Sequence, residues 1–206
     1  MLNGPSDADY MAMALALSQR GRGRTGANPN VGCIIVKRGR VVGRGWTQPG
    51  GRPHAEEMAL AQAGKSASGA DIYVTMEPCA HASSRGPTCS NAIIDARPGR
   101  VIVATLDADE RTRRHGIDRL GDAGIPVSVG IREPEARRAM AGFLSRVENV
   151  RPFVTLKLGM SLDGCIATAD GTSQWITGDQ ARAHAHLERV RSDAILVGAG
   201  TARVDR

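Results

Sequence analysis

The chain has 206 residues, 41% apolar, 3% aromatic and rich in glycine with 25 copies. That suits one domain plus a fragment, or two small domains, of α/β class rather than a disordered chain; no apolar run reaches membrane-spanning length. The net charge of +6 favours an anionic partner, but the arginines are scattered and lack the interleaved aromatics on which single-stranded nucleic acid stacks, so a phosphorylated small molecule is expected, without nucleic acid or membrane.

Met1 to Tyr10 lacks a basic region followed by an apolar stretch, so no secretory signal is read and a cytoplasmic location is expected. The four cysteines (Cys33, Cys79, Cys89 and Cys165) would then be reduced, and metal binding is expected over disulfides.

Residues 7–20 read as a helix capped by Ser6 or Asp7, with Tyr10, Met11, Ala14, Leu15 and Leu17 on one face. Runs 31–37 and 40–46 read as a hairpin turning at Arg38-Gly39. A Gly/Pro-rich loop leads into a helix at 54–63, and 71–76 reads as a strand ended by Glu77-Pro78-Cys79. Further along, 88–96 reads as helix, 100–105 as strand, 114–123 as helix, 126–129 as strand and 134–146 as helix. This alternation predicts a mostly parallel sheet with helices on both faces, its site at the carboxyl ends of the strands.

A break falls at 149–152; beyond it, 153–158 and 194–197 read as strands and 179–191 as a helix. So short a tail cannot easily bury a core alone. Two domains are therefore expected, 1–148 and the beginning of a second at 149–206, with an extension packed on the first domain as the alternative.

The chemistry is carried by Pro53-His54-Ala55-Glu56 at a helix start, then Met76-Glu77-Pro78-Cys79, then Cys89. A catalytic zinc takes three His/Cys-type protein ligands and keeps one position open; His54, Cys79 and Cys89 supply that count. Zinc makes water acidic near neutral pH, and Glu56, two residues past His54, can take the water's proton without ligating and deliver it to a ring nitrogen and the leaving ammonia. Pro78 would suit the first position of a helix, and nearby helix N-termini would favour thiolate at both cysteines. H-x-E with P-C-x-x-C marks zinc deaminases; here the first half matches, but nine residues separate the cysteines. Asn28 could bond a pyrimidine edge or simply form a turn before Pro29, and His81 could reach substrate or lie in solvent. Glu57 points about 100° away from Glu56 and is expected in solvent; Cys33 reads as a small core residue.

These residues, together with Gly26-Ala27-Asn28-Pro29-Asn30-Val31-Gly32, Gly43-Arg44-Gly45-Trp46 and Cys79-Ala80-His81, resemble the bifunctional riboflavin-biosynthesis deaminase/reductase family. Arg151-Pro152-Phe153-Val154, Ser161-Leu162-Asp163-Gly164, Ser173-Gln174-Trp175-Ile176-Thr177 and Ala194-Ile195-Leu196-Val197-Gly198 look like the opening of its reductase domain. The resemblance implies a three-layer α/β/α cytidine-deaminase-like domain that uses Zn2+ to deaminate 2,5-diamino-6-ribosylamino-4(3H)-pyrimidinone 5′-phosphate. It implies next a dihydrofolate-reductase-like domain using NADPH, incomplete in this chain. By position, Gly159, Trp175, Thr201 and Asp205 fall where the family binds NADP, and Ser173 and Arg189 where it binds the reductase substrate, with Lys157 in the same pocket. Two departures stand out: Thr47 where the family carries His, and the segment 80–88, longer than the family's. The competing readings are a zinc deaminase of another nucleoside or of tRNA, and a non-catalytic zinc-stabilised module. A homo-oligomer is expected.

Overall fold

The computed structural model describes residues 4–81 and 88–204. The chain divides into two compact units, Met1–Phe153 and Val154–Arg206.

The first unit opens with α1 (Asp7–Ser18). Ser6 Oγ accepts from Asp9 N–H at 3.3 Å while the Asp9 carboxylate accepts from Ser6 N–H at 2.8 Å, a reciprocal cap that satisfies donors the helix cannot. Strands β1 (Gly32–Lys37) and β2 (Arg40–Trp46) follow as a hairpin. Arg38 and Gly39 both have positive φ, 49° and 73°, the handedness that matches strand twist in a two-residue turn. β3 (Asp71–Val74) pairs antiparallel with β1, and β4 (Arg100–Val103) and β5 (Val127–Val129) add in parallel, giving the order β2-β1-β3-β4-β5. Only β1 runs against the other four, so the expected mostly parallel sheet is a mixed one with a single reversed strand.

Glycines let the layers close. A Cβ at Gly32 would lie 2.0 Å from Ala14 O in α1, and one at Gly45 would lie 2.0 Å from Ala55 O in α2 (Ala55–Ala63). Gly45 pairs with Cys33, the neighbour of Gly32, so the two glycines face opposite sides and the two helices cover opposite faces. α3 (Cys89–Ala96) packs beside α2, and α4 (His115–Asp122) beside α3; α5 (Glu133–Ala139) packs with α1. Between the layers Ile34, Ile35, Ile72, Tyr73, Val101 and Ile102 are all but fully buried. At the amino end of β3 and β4, Arg100 pairs with Asp7 and Asp71 at 2.8 Å, and Tyr73 Oη donates to Asp7 at 2.7 Å, tying α1 to the sheet.

The single helix expected over 134–146 is two, α5 and α6 (Ala141–Asn149), because Met140 leaves helical geometry (φ −113°, ψ 21°) and its side chain is buried at the break. In the second unit α7 (Asp179–Val190) forms as expected, and α8 (Ala199–Val204) occupies what reads as loop. Neither 153–158 nor 194–197 is a strand among the described residues. A strand exists only through its ladder, and neither run has a partner here; Val154, Leu156 and Leu196 stand 80, 78 and 100% exposed.

Candidate metal centre and its pocket

His54 is the N-cap of α2 rather than its first helical residue; its extended backbone (φ −73°, ψ 165°) turns the side chain off the helix axis while Glu56 falls in the first turn. Glu57 is not free in solvent: its Oε1 accepts from His54 N–H at 3.1 Å and from Arg52 at 2.8 Å, which fixes the helix start. Pro78 lies in a loop rather than at a helix start, so Cys79 owes nothing to a helix of its own. The helix that reaches it is α3, capped by Thr88, whose Oγ1 accepts from Asn91 N–H at 3.3 Å. Cys89 N–H donates to Cys79 Sγ at 3.4 Å and Ser90 N–H to Cys79 O at 3.1 Å.

Three segments remote in sequence thereby converge. His54 Nδ1 stands 3.2 Å from Cys89 Sγ and 3.6 Å from Cys79 Sγ, and the three candidate ligand atoms lie within 4.8 Å of one another. One imidazole nitrogen and two sulfurs, partly or wholly buried, two of them at helix starts and Cys79 in a loop, are a donor set that fits a zinc ion with one coordination position left over.

The electrostatics suit a cation. The hydrogen bond with Cys89 pulls the Cys79 thiol well down against burial, helped by His54, while the same hydrogen bond and burial push Cys89 up. Burial works against a charged His54, but the hydrogen bond to Cys79 and the charge of Glu56 outweigh it and its pKa rises. Glu56 is 3% exposed, and burial pushes its carboxyl up to about 7, partly offset by His54.

The centre opens into a cavity of about 710 Å³ lined by Asn28, Thr47, His54, Glu56, Cys79 and His81. Asn28 Nδ2 donates to Thr25 O at 3.2 Å, an amide orientation that leaves Oδ1 as its acceptor. Thr47 is 2% exposed, and its Oγ1 accepts from Val31 N–H at 2.9 Å. His81 is exposed on the pocket wall. Sequence reasoning missed other polar groups of the lining, among them Arg52, Asp107, Asp109, Arg111, Thr112 and Arg146. It also gave no role to Glu77, although its place between strand end and Pro78-Cys79 was a usable signal.

In the second unit a Cβ on Gly159 would lie 3.6 Å from Lys157 Nζ and 3.9 Å from Thr177, so Lys157 and Gly159 are neighbours. The Arg182 guanidinium stacks 4.2 Å over Trp175, and Arg189 bonds His186 at 3.2 Å. Lys157, Ser173, Trp175, Arg189 and Thr201 are all exposed, none sequestered in a cleft. Asp205 and residues 82–87 of the loop between the cysteines lie outside the described residues.

Comparison with known proteins decides the family. The pattern of the cytidine and deoxycytidylate deaminase zinc-binding region matches residues 5–105, and that of the RibD C-terminal domain matches residues 152–206. The riboflavin biosynthesis protein RibD of Escherichia coli is 49% identical over 97% of the chain and 54% of its own length, and that of Aquifex aeolicus 46% identical over 95% and 54%. The chain belongs to the RibD family. Among solved RibD structures, form 1 of the Acinetobacter baumannii protein superposes with a TM-score of 0.85 at 43% identity, covering 97% of this chain and 56% of that one. A Thermotoga maritima relative described as a diaminohydroxyphosphoribosylaminopyrimidine deaminase/5-amino-6-(5-phosphoribosylamino)uracil reductase superposes with a TM-score of 0.88 at 38% identity, covering 97% and 57%. The first unit has the cytidine-deaminase-like fold of this family. The chain spans about half the length of the RibD relatives it matches. Among the described residues, no helix is long and apolar enough to cross a membrane.

Proposed function

We propose that the Met1–Phe153 unit is a zinc-dependent deaminase of riboflavin biosynthesis, replacing the amino group of 2,5-diamino-6-ribosylamino-4(3H)-pyrimidinone 5′-phosphate by oxygen, with water consumed and ammonia released. The observation that carries the proposal is the convergence of His54, Cys79 and Cys89, with His54, Cys79 and the buried Glu56 lining one pocket.

In this reading His54 Nδ1 and the two sulfurs would hold zinc, and the bound ion would supply the Lewis acidity that makes water nucleophilic near neutral pH. Glu56 is not a ligand. Its buried carboxyl, raised to about 7, would take one proton from the water and pass it to the ring nitrogen, then take the second from the newly added hydroxyl and pass it to the departing amine, which leaves as ammonia. Asn28 offers a carbonyl acceptor to the amino edge of the pyrimidine, and His81 a polar contact at the pocket wall. The cavity of about 710 Å³ matches a small phosphorylated molecule in scale.

The whole protein would pair this activity with NADPH-dependent reduction, as the Thermotoga maritima relative is described as both a deaminase and a reductase. Gly159, Trp175, Thr201 and Asp205 are the proposed NADP contacts, and Lys157, Ser173 and Arg189 the proposed reductase-substrate contacts. The test offers the zinc-loaded protein the diaminopyrimidinone phosphate, cytidine and tRNA and measures ammonia. Release from the first alone is expected; release from cytidine or tRNA alone overturns the substrate assignment.

A further inference from the structure

Glu77 lies two residues before Cys79 and is 7% exposed. A buried carboxylate must be satisfied, and this one is satisfied by the main chain of a single distant segment. Its Oε2 accepts from Asp107 N–H at 3.1 Å and Arg114 N–H at 2.9 Å; its Oε1 accepts from Gly116 N–H at 2.9 Å and Ile117 N–H at 3.4 Å. Its own N–H donates to Thr105 O at 2.9 Å. Residues 105–117 are thus wrapped around one side chain.

The wrapped segment is also braced internally. Asp107 accepts from Asp109 N–H at 3.1 Å and from Thr112 Oγ1 at 2.8 Å, and Arg111 pairs with Asp109 at 2.6 Å. These four residues line the same cavity as His54 and Glu56. On the other side the segment presses on the metal arm: a Cβ at Gly116 would lie 1.9 Å from Pro78 O, so only glycine allows the start of α4 to sit there.

We infer that Glu77 is a positioning residue for substrate: through its four backbone acceptances it locks the 107–112 pocket wall to the Cys79 arm, so that wall and metal centre form one rigid site. The inference rests on the deaminase reading of that pocket. A carboxylate has acceptor sites for all four N–H groups, whereas an amide would turn its own NH2 toward two of them. Glu77→Gln therefore keeps the size and breaks the match. Glu77→Asp keeps the chemistry but is one methylene shorter.

The experiment compares wild type, E77Q and E77D, each zinc-loaded, by zinc content, by steady-state kinetics on the diaminopyrimidinone phosphate and by amide hydrogen exchange. For E77Q, KM should rise about tenfold or more with a smaller fall in kcat. Zinc should stay at about one per chain, while the amides of Asp107, Arg114 and Gly116 should exchange much faster than in wild type. E77D should recover part of both KM and protection. Unchanged KM and exchange in E77Q would overturn the inference, as would zinc loss in step with the rise in KM, which would place the effect on the metal arm alone. Should E77Q not fold, wild-type exchange decides: the amides of Asp107, Arg114 and Gly116 must be protected far beyond that of Glu110, and equal exchange overturns the inference. Should wild type release no ammonia from this substrate, the deaminase reading fails, and the exchange comparison alone still judges Glu77.

Discussion

Gly45→Ala tests how the sheet holds the metal centre in place. The added Cβ would lie 2.0 Å from Ala55 O, 2.7 Å from Ala59 N and 2.9 Å from Met58 Cβ, all in α2 and two of them backbone atoms. No side-chain rotation relieves that. Ordinary contact begins at 3.4 Å, so the helix must retreat by the difference between 3.4 and 2.0 Å, about 1.4 Å, at the turn that carries His54 and Glu56. Overpacking of this kind costs about 1–3 kcal/mol, which at about 2–4 °C per kcal/mol lowers Tm by about 2–12 °C. A displacement on the order of 1 Å in a catalytic group also costs about 100-fold in turnover. Scanning calorimetry and ammonia release measure the two effects. Gly121→Ala is the control: it lies in α4 with nothing within 4 Å of a new Cβ, and should gain about 0.5–1 kcal/mol from helix propensity. A G45A protein that melts and turns over like wild type would refute the reasoning.

Glu56→Gln should cut turnover by about 10²–10⁴-fold while zinc content holds at about one per chain; a variant that keeps wild-type kcat would remove Glu56 from the mechanism. Chelation should lower the Tm of wild type but leave Cys79→Ser and Cys89→Ser unmoved, since each lacks a ligand; equal chelator response in all three would disprove the ligand set. Acidification should expose the anchor at the amino end of the sheet. The Asp7 carboxyl is held below the usual range by hydrogen bonds from Arg100 and then Tyr73. A depressed folded pKa adds stability above the unfolded value of about 3.9 and loses it as pH falls through the lower folded value. The Tm of wild type should therefore drop more steeply below about pH 4 than that of Asp7→Asn, and parallel melting curves against pH would contradict this.

Much of the first unit was legible because its signals are local. The Ser6 cap, the Arg38-Gly39 turn and the β-branched runs at 34–36 and 101–103 each decide a backbone conformation within a few residues. The break at Met140 was not legible, because methionine is a good helix former and Gly142, two residues on, lies inside α6 rather than at the break; Met140 is buried where the two helices meet. The two runs read as strands in the second unit failed for the opposite reason: Val154, Leu156, Ile195 and Val197 have the right character, but propensity makes no ladder without a partner strand.

The same division holds for the site. The residue types and order of His54, Glu56, Cys79 and Cys89 already specified a metal chemistry, because few arrangements of imidazole, carboxylate and thiols have another use. Only the fold decided that Cys79 takes its N–H donor from α3, that Glu57 caps α2 with Arg52, and that Arg146 and the 107–112 segment wall the same cavity. Ligand identity is a property of single side chains and can be read along a chain. Which backbone amide meets which sulfur or carboxylate is a property of packed layers; for Glu77 it depends on amides 30 to 40 positions away being pressed against it by the core.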